Sequence, residues 1–596
     1  MPGRISTFGI KPLVARLGTT GLVALSMLVF SLPAPAARPT GEFPPVEEIK
    51  PGKTGNLVLR VQKALAELGI YQGPKDGRMN ALTRSALRAY QRGTGLKDTG
   101  RITEALVQGL ENSLQVRVLL KRLDKVRIEN MSAARQALLS HPATRDLVAK
   151  TSDEVADPTR DAAKCLKNVT VRCLLKEALE SAKAVFKPEL RDWALGEILV
   201  AQARAGLGKE AMETAGRIRD PRLIVIALRD IAEAQAASGL SAKALSAAEI
   251  IPDLLKQAEA LAAIADIQIK RKDNDDARET AERLLLTLDK IEKGLTRISL
   301  KTRAAVILAR SGNGPKAAGI LRETEAYVRK NIAGKDRDVA LRHVAKALAE
   351  TEQLAQALTV LSDVTEDSNR TPVLITAATQ QARAGDVAAA LATADNIEAV
   401  RFRAVVLGQI ALTQAEAGEE AAANITLEMA LAAVEKIKLP YARSYAVSRV
   451  SVSMAGVGKF PESWDKAKAI FRKARETALR IDDNRLRAHT LWAIAAEQIR
   501  SGDDAGAKET RKLAKKATGE IKSSLSQVWM YSEIATGHAS QNEDVAAWAA
   551  FDNGHQVAQS IGNSWGRARA FGKLAATLIQ LVNPGKTSPV KTRVKK

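Results

Sequence analysis

A chain of 596 residues is longer than one hydrophobic core normally serves, so it must divide into several domains or form an elongated repeat array. Only 4% of the residues are aromatic while alanine and leucine abound, which suits long packed helices and disfavours sheets. The formal net charge of +23 favours polyanionic or carboxylate-rich partners, nucleic acid being the usual first case.

The N-terminus redirects that reading. Arg4, Lys11 and Arg16 precede an apolar run from Leu17 to Leu32, and Ala34-Pro35-Ala36 follows it. Residues 1–37 thus have the plan of a secretory signal: basic head, short apolar core, small residues around a cleavage point. The apolar run is shorter than the roughly 20 residues of a spanning helix; left uncleaved, it would act as an anchor. Cleavage removes three cations and no acid, so the net charge falls from +23 to +20. Export argues against nucleic acid as a partner. No later run approaches membrane length, so the expected location is the periplasm or cell wall, without a stable span after cleavage.

Residues 38–55 are rich in proline and glycine and read as a flexible linker. A small domain is expected over residues 56–112. Val58, Val61, Leu65 and Leu68 recur at helical spacing, with Asn56 placed to cap the helix and Gly69 to end it. After the turn YQGPKDG, Asn80 can cap a second helix presenting Leu82, Ala86 and Tyr90. The turn LKDTGRI then leads to a third helix, capped by Thr103, that offers Leu106 and Leu110.

The order of these residues resembles the peptidoglycan-binding domain that accompanies many cell-wall enzymes. The matching elements are Gln62 and Leu65, Gly69-Ile70-Tyr71-Gln72-Gly73, Asp76-Gly77, Thr83 and Ala86, Tyr90-Gln91, Gly95-Leu96 and Asp98-Thr99-Gly100. Met79-Asn80 stands where the family usually has Phe-Gly, and the last helix lacks the usual Thr. The resemblance implies a three-helix bundle that binds peptidoglycan, with Tyr71, Asp76, Gly77, Thr83, Tyr90 and Gln91 as candidate site residues. Taken singly, these residues also suit plain turns and core.

Residues 113–160 read as a helical connector and loop, and residues 161–581 repeat themselves. ALGEILVAQARAGLGKEAMETAGRI from Ala194 is echoed by ALRDIAEAQAASGLSAKALSAAEII from Ala227 and continued from Ala260. The residue between the two helices of each unit is Gly206, Gly239, Lys272, Gly312, Glu352, Gly385, Gly418, Gly458, Gly502 or Asn542, at spacings of 33, 33, 40, 40, 33, 33, 40, 44 and 40. Glycine and asparagine most readily take the left-handed conformation that ends a helix. Five residues later stands a small side chain, Ala211, Ala244, Ala277, Ala317, Ala357, Ala390, Ala423, Ser463, Ala507 or Ala547, which lets the paired helices approach closely. The pattern resembles the tetratricopeptide repeat with aliphatic residues at the usual aromatic positions. The expected fold is all-α: a small three-helix bundle, then a long right-handed α-solenoid of about ten helix-turn-helix repeats with a concave partner-binding surface. Ala178 fits an earlier partial unit, residues 565–581 a closing helix, and residues 582–596 a basic disordered tail.

Fifteen residues before the turn stand Arg191, Arg297, Arg337, Arg370, Arg403, Arg443 and Arg487. In stacked repeats they align, either as a stripe that grips carboxylates of an acidic protein partner or as partners of acids that end the preceding unit, such as Asp220, Asp367, Glu398 or Asp483. Cys165 and Cys173 bridge only if the helix breaks between them, for instance at Asn168, because eight helical residues span about 12 Å and a disulfide needs Cα atoms within about 7 Å. Otherwise they are small apolar core residues.

Catalytic motifs are weak. Gly562-Asn563-Ser564-Trp565-Gly566 matches a nucleophile elbow in letters, but it joins helices where that motif needs a strand. Gly585-Lys586-Thr587 has no phosphate-loop context. His141, His343, His489, His538 and His555 are scattered without metal-ligand spacing, and Glu180-Ser181 lacks the surroundings of a lytic transglycosylase. The reading is a non-enzymatic envelope scaffold without metal or cofactor. Its alternatives are a cell-wall hydrolase with unrecognised catalytic residues, and a membrane-anchored scaffold whose small domain no longer binds glycan.

Overall fold

The structure, a computed structural model, describes residues 57–149, 154–157, 159–461, 463–540 and 543–582. The signal, the linker, Asn56, Asn542 and the tail beyond residue 582 lie outside the described residues. Among the described residues every regular element is a helix. They form two compact units, one ending at Arg122 and the other beginning at Leu123.

The first unit is built from α1 (Leu57–Glu67), α2 (Ala81–Gly93) and the start of α3 (Glu104–Ser140). Val61, Leu65, Tyr71, Ala86, Leu87, Tyr90, Leu106 and Leu110 make its core. Asn80 caps α2 by accepting from the Thr83 N–H at 2.8 Å, and the Thr103 hydroxyl accepts from Leu106 N–H at 3.2 Å. Gly69 ends α1 with φ of 79°, a left-handed position that costs glycine little. Leu82 does not face the core: it is 60% exposed, and the buried face runs through Thr83, Ala86, Leu87, Tyr90 and Gln91. Nor does the third helix stop near residue 112, because no glycine or proline interrupts the chain from Glu111 to Ser140.

In the second unit α4 (Arg145–Ala149) and α5 (Ala163–Lys167) precede α6 (Val171–Lys183). The chain breaks at Asn168, and the Thr170 hydroxyl restarts it by accepting from Cys173 N–H. That break brings the Cα atoms of Cys165 and Cys173 to 5.6 Å, and the two form a disulfide.

Ten helix pairs follow. They are α7 (Pro188–Arg204) with α8 (Gly208–Ala215), α9 (Pro221–Ala237) with α10 (Ser241–Glu249), α11 (Leu254–Arg271) with α12 (Asn274–Leu288), α13 (Leu295–Arg310) with α14 (Gly314–Asn331), and α15 (Gly334–Glu350) with α16 (Leu354–Ser362). Then come α17 (Asp367–Arg383) with α18 (Val387–Asp395), α19 (Val400–Glu416) with α20 (Glu420–Glu435), α21 (Pro440–Val457) with α22 (Trp464–Leu479), α23 (Asn484–Arg500) with α24 (Asp504–Gly519), and α25 (Ser524–Ala539) with α26 (Asp544–Gln559). A last helix, α27 (Ser564–Leu581), closes the chain.

The two repeat lengths have a simple origin. Units of 33 residues carry a second helix of 8 or 9 residues, whereas units of 40 carry one of 15 to 18. Seven residues are close to two helical turns, so the longer helix keeps the same face inward. Lys272 and Glu352 turn left-handed at φ of 68° and 65° like the glycines around them. Gly458 departs from this pattern with φ of −58°; its lack of a side chain makes room for the Phe471 ring, which would lie 3.1 Å from a Cβ there. Ser463 is likewise displaced: it is exposed at the start of α22, and Ala467 is the buried small residue. The four extra residues of the 44-residue spacing therefore sit in the turn before α22.

The array is not an open solenoid. Each odd-numbered helix from α7 to α25 packs against the next one, α25 packs on α27, and α27 packs on α7. Even-numbered helices mostly touch only their own unit and the next, so the odd layer lies on the inside of the curve. The outer helix for α27 is α6, which precedes the whole array. The partial first unit and the closing helix are thus the two halves of one eleventh unit, assembled from opposite ends of the chain. At the usual interaxial spacing of about 9–10 Å, eleven inner helices closing on themselves correspond to a circle of about 17 Å radius and an opening of about 20 Å.

Candidate functional site

In the small unit the six candidate residues gather around two buried glutamines. Gln62 on α1 accepts from Gly77 N–H at 2.8 Å, and its amide nitrogen lies 3.0 Å from both Arg78 O and Thr83 Oγ1 and 3.2 Å from Asp76 Oδ1. Tyr71 joins this group, its hydroxyl donating to Pro74 O at 2.8 Å. Gly77 sits at φ of 75°, where a side chain would be strained. The second glutamine, Gln91 on α2, repeats the arrangement by accepting from Gly100 N–H at 2.8 Å and Thr99 N–H at 3.1 Å. Tyr90 beside it pairs with the Ser113 hydroxyl at 2.9 Å.

Of the six candidates, Tyr71, Gly77, Thr83, Tyr90 and Gln91 are buried and Asp76 is exposed. The Arg78 backbone N–H and then the Gln62 amide hold the Asp76 carboxyl below its ordinary range. Each cluster ties a Gly-Arg turn, Gly77-Arg78 or Gly100-Arg101, to a helix. The buried residues therefore shape two loops whose outer faces meet solvent.

In the ring the arginine row reaches backwards. Arg370 donates to Val364 O at 3.1 Å, Arg487 to Ile481 O at 2.8 Å and Arg297 to Ile291 O at 3.1 Å. Arg403 lies 3.4 Å from Asp395 O, and Arg443 lies 3.4 Å from Glu435 O. Gln257 and Gln527, at the same position of other units, also bond such carbonyls. These side chains satisfy the carbonyls that end the preceding outer helix and place positive charge at the negative end of its dipole. Their ion-pair partners are Asp289 for Arg297, Glu435 for Arg443 and Glu520 for Arg487, while of the acids expected from sequence Glu398 feels the charge of Arg370. Arg337 leaves its Nε without a hydrogen bond, as does Arg191, which lines a small cleft with Glu154, Lys183, Arg217 and Arg219.

The seam of the ring is a site that sequence reasoning missed. Arg569 on α27 pairs through both nitrogens with Glu197 on α7, at 2.6 and 2.9 Å. Its guanidinium lies 4.3 Å from the Trp193 ring centre, 4.7 Å from Trp565 and 5.0 Å from Trp529. Trp193, Trp529 and Arg569 occupy one repeat position on adjacent inner helices. The available signal was that four of the six tryptophans, Trp193, Trp529, Trp548 and Trp565, fall in the first helix pair or in the last pair and closing helix. Ser564 of the apparent nucleophile elbow opens α27, and Asn563 caps that helix by accepting from Gly566 N–H. No group of three or more His, Cys, Asp or Glu with metal-binding geometry occurs among the described residues. No helix among them is long and apolar enough to cross a membrane.

No curated protein matches the chain. A solved structure described as "Circular tandem repeat protein with novel repeat topology and enhanced subunit contact surfaces" is 12% identical, covers 88% of this chain and 98% of its own, and has a TM-score of 0.16. Residues 54–110 match the family model described as "Putative peptidoglycan binding domain", so the first unit, about a tenth of the chain, carries a peptidoglycan-binding-type domain.

Proposed function

We propose that the protein is a non-enzymatic envelope scaffold whose small unit docks on peptidoglycan while the ring presents surfaces to other proteins. The observation that carries this reading is the coincidence of a peptidoglycan-binding-type domain with a large helical repeat array in one chain. An exported chain of net charge +20 favours carboxylate-rich wall polymer and acidic protein partners. The arginine row is assigned to clamping neighbouring units, and the loop surface around exposed Asp76 to the glycan. The buried Tyr71, Gly77, Thr83, Tyr90 and Gln91 hold that surface in shape.

The test is co-sedimentation with purified peptidoglycan of the chain without residues 1–37, and of a version lacking residues 38–112, across a salt series with soluble muropeptides assayed in the same tubes. Binding that survives moderate salt and disappears with the deletion supports the reading. Salt-sensitive binding shared by both versions assigns the interaction to charge alone, and release of muropeptides overturns the non-enzymatic part.

A further inference from the structure

The tryptophans at the seam are more than a clasp requires. Trp193 remains 45% exposed although it touches Arg569, and it lies on the inner wall of the ring. One turn further along the same inner faces stand Glu533 on α25 and Lys573 on α27. Their opposite charges attract each other, Glu533 also acts on His489, and burial disfavours the charged form of Lys573, whose nitrogen lies 5.9 Å from the Trp529 ring centre. The indole N–H of Trp565 is buried and without a hydrogen-bond acceptor. The wall therefore offers exposed indole surface beside a carboxylate and an amine that have no direct hydrogen bond, while the buried Trp565 N–H is out of a ligand's reach.

That combination matches a sugar. The C–H face of a pyranose is apolar and stacks on indole, while its rim of hydroxyl and amide groups needs both donors and acceptors at the edge of the ring. An opening about 20 Å across is wide enough for one extended saccharide strand. The clasp between Arg569 and Glu197 would hold the indoles in place before the ligand arrives, which lowers the ordering cost of binding.

We propose that the inner wall at the seam is a saccharide-binding site, with Trp193 as the stacking platform and Glu533 and Lys573 as polar contacts. The site is separate from the small unit and stands whether or not that unit binds the wall. If the wall-docking reading holds, the natural ligand class is an N-acetylated glycan.

All six tryptophans lie beyond residue 122, so tryptophan emission reports on the ring and is silent about the small unit. Full-length protein without residues 1–37 is titrated with N-acetylglucosamine oligosaccharides, with soluble disaccharide-peptides, and with the free stem peptide. The expected result is a saturable emission change with the first two probes, weakened at least tenfold in Trp193→Ala and in Lys573→Met. Melting curves of both variants check that the ring remains folded, and Glu533→Gln supplies a third, milder perturbation. No saturable change with either sugar probe overturns the proposal, as does equal affinity in folded Trp193→Ala and Lys573→Met. A response to the free peptide alone assigns the wall to peptide and also overturns it. A negative sedimentation result with a positive emission result rejects wall docking by the small unit and leaves this site standing.

Discussion

Ring closure makes a quantitative claim about two residues 372 positions apart. Glu197→Gln removes the charge facing Arg569, whose side chain is 8% exposed while that of Glu197 is 29% exposed. Stranding one charge of a buried pair costs about 3–5 kcal/mol; the partial exposure of Glu197 lowers the expected loss to about 2–4 kcal/mol. Arg569→Met loses the same pair and the contacts with three indoles but leaves a carboxylate that water can reach, for a loss of about 2–3 kcal/mol. The double variant strands no charge and should lose about 2–3 kcal/mol, giving a coupling of about 2–3 kcal/mol. In an open array these positions would never meet, and their effects would add to within about 0.5 kcal/mol. Urea unfolding of the four proteins measures the coupling, and hydrogen exchange should show α6, α7 and α27 losing protection in the single variants while α15 and α17, across the ring, do not. Additive effects, or unchanged exchange at α6 and α7, would refute closure.

The small unit and the repeat turns make further claims. Gln62→Leu leaves the buried Gly77 N–H without its acceptor and should destabilise the first unit by about 2–3 kcal/mol, read as faster exchange over residues 57–110 with the ring unchanged. Glu352→Gly should stabilise the ring by about 0.5–1 kcal/mol, since a non-glycine residue holds φ of 65° there, whereas Gly458→Ala should destabilise it by pushing against Phe471; unfolding midpoints that move in the same direction would contradict this account. Burial, then Arg342 and Lys346, push His343 down to about 4, and burial also lowers His489, His538 and His555. A folded pKa below the unfolded value of about 6.5 means that this stability is present above pH 6.5 and is lost as pH falls toward 4. Melting temperature should decline over that interval, and the decline should be shallower in His343→Gln.

Local rules carried well into the structure. Asn80 and Thr103 cap helices because a short oxygen-bearing side chain before an apolar repeat has few better uses. Most turn glycines are left-handed for an equally local reason. The face of α2 was harder to read: Leu82 and Leu87 are both plausible core residues until the positions of α1 and α3 choose between them. The role of Gln62 was hidden too, since its partners Gly77, Arg78 and Thr83 meet it only after two turns have folded back.

Length, period and small residues by themselves determined an all-helical chain, a small domain followed by stacked helix pairs, and the turn positions of most repeats, because each of these depends on contacts within about 40 residues. The tertiary structure decided that the array closes. A solenoid curves by the sum of small rotations between units, and no single unit records that sum. Only when all ten pairs are stacked does α27 arrive beside α6 and α7, where it completes the eleventh unit and brings Trp193, Trp565 and Arg569 together on one wall.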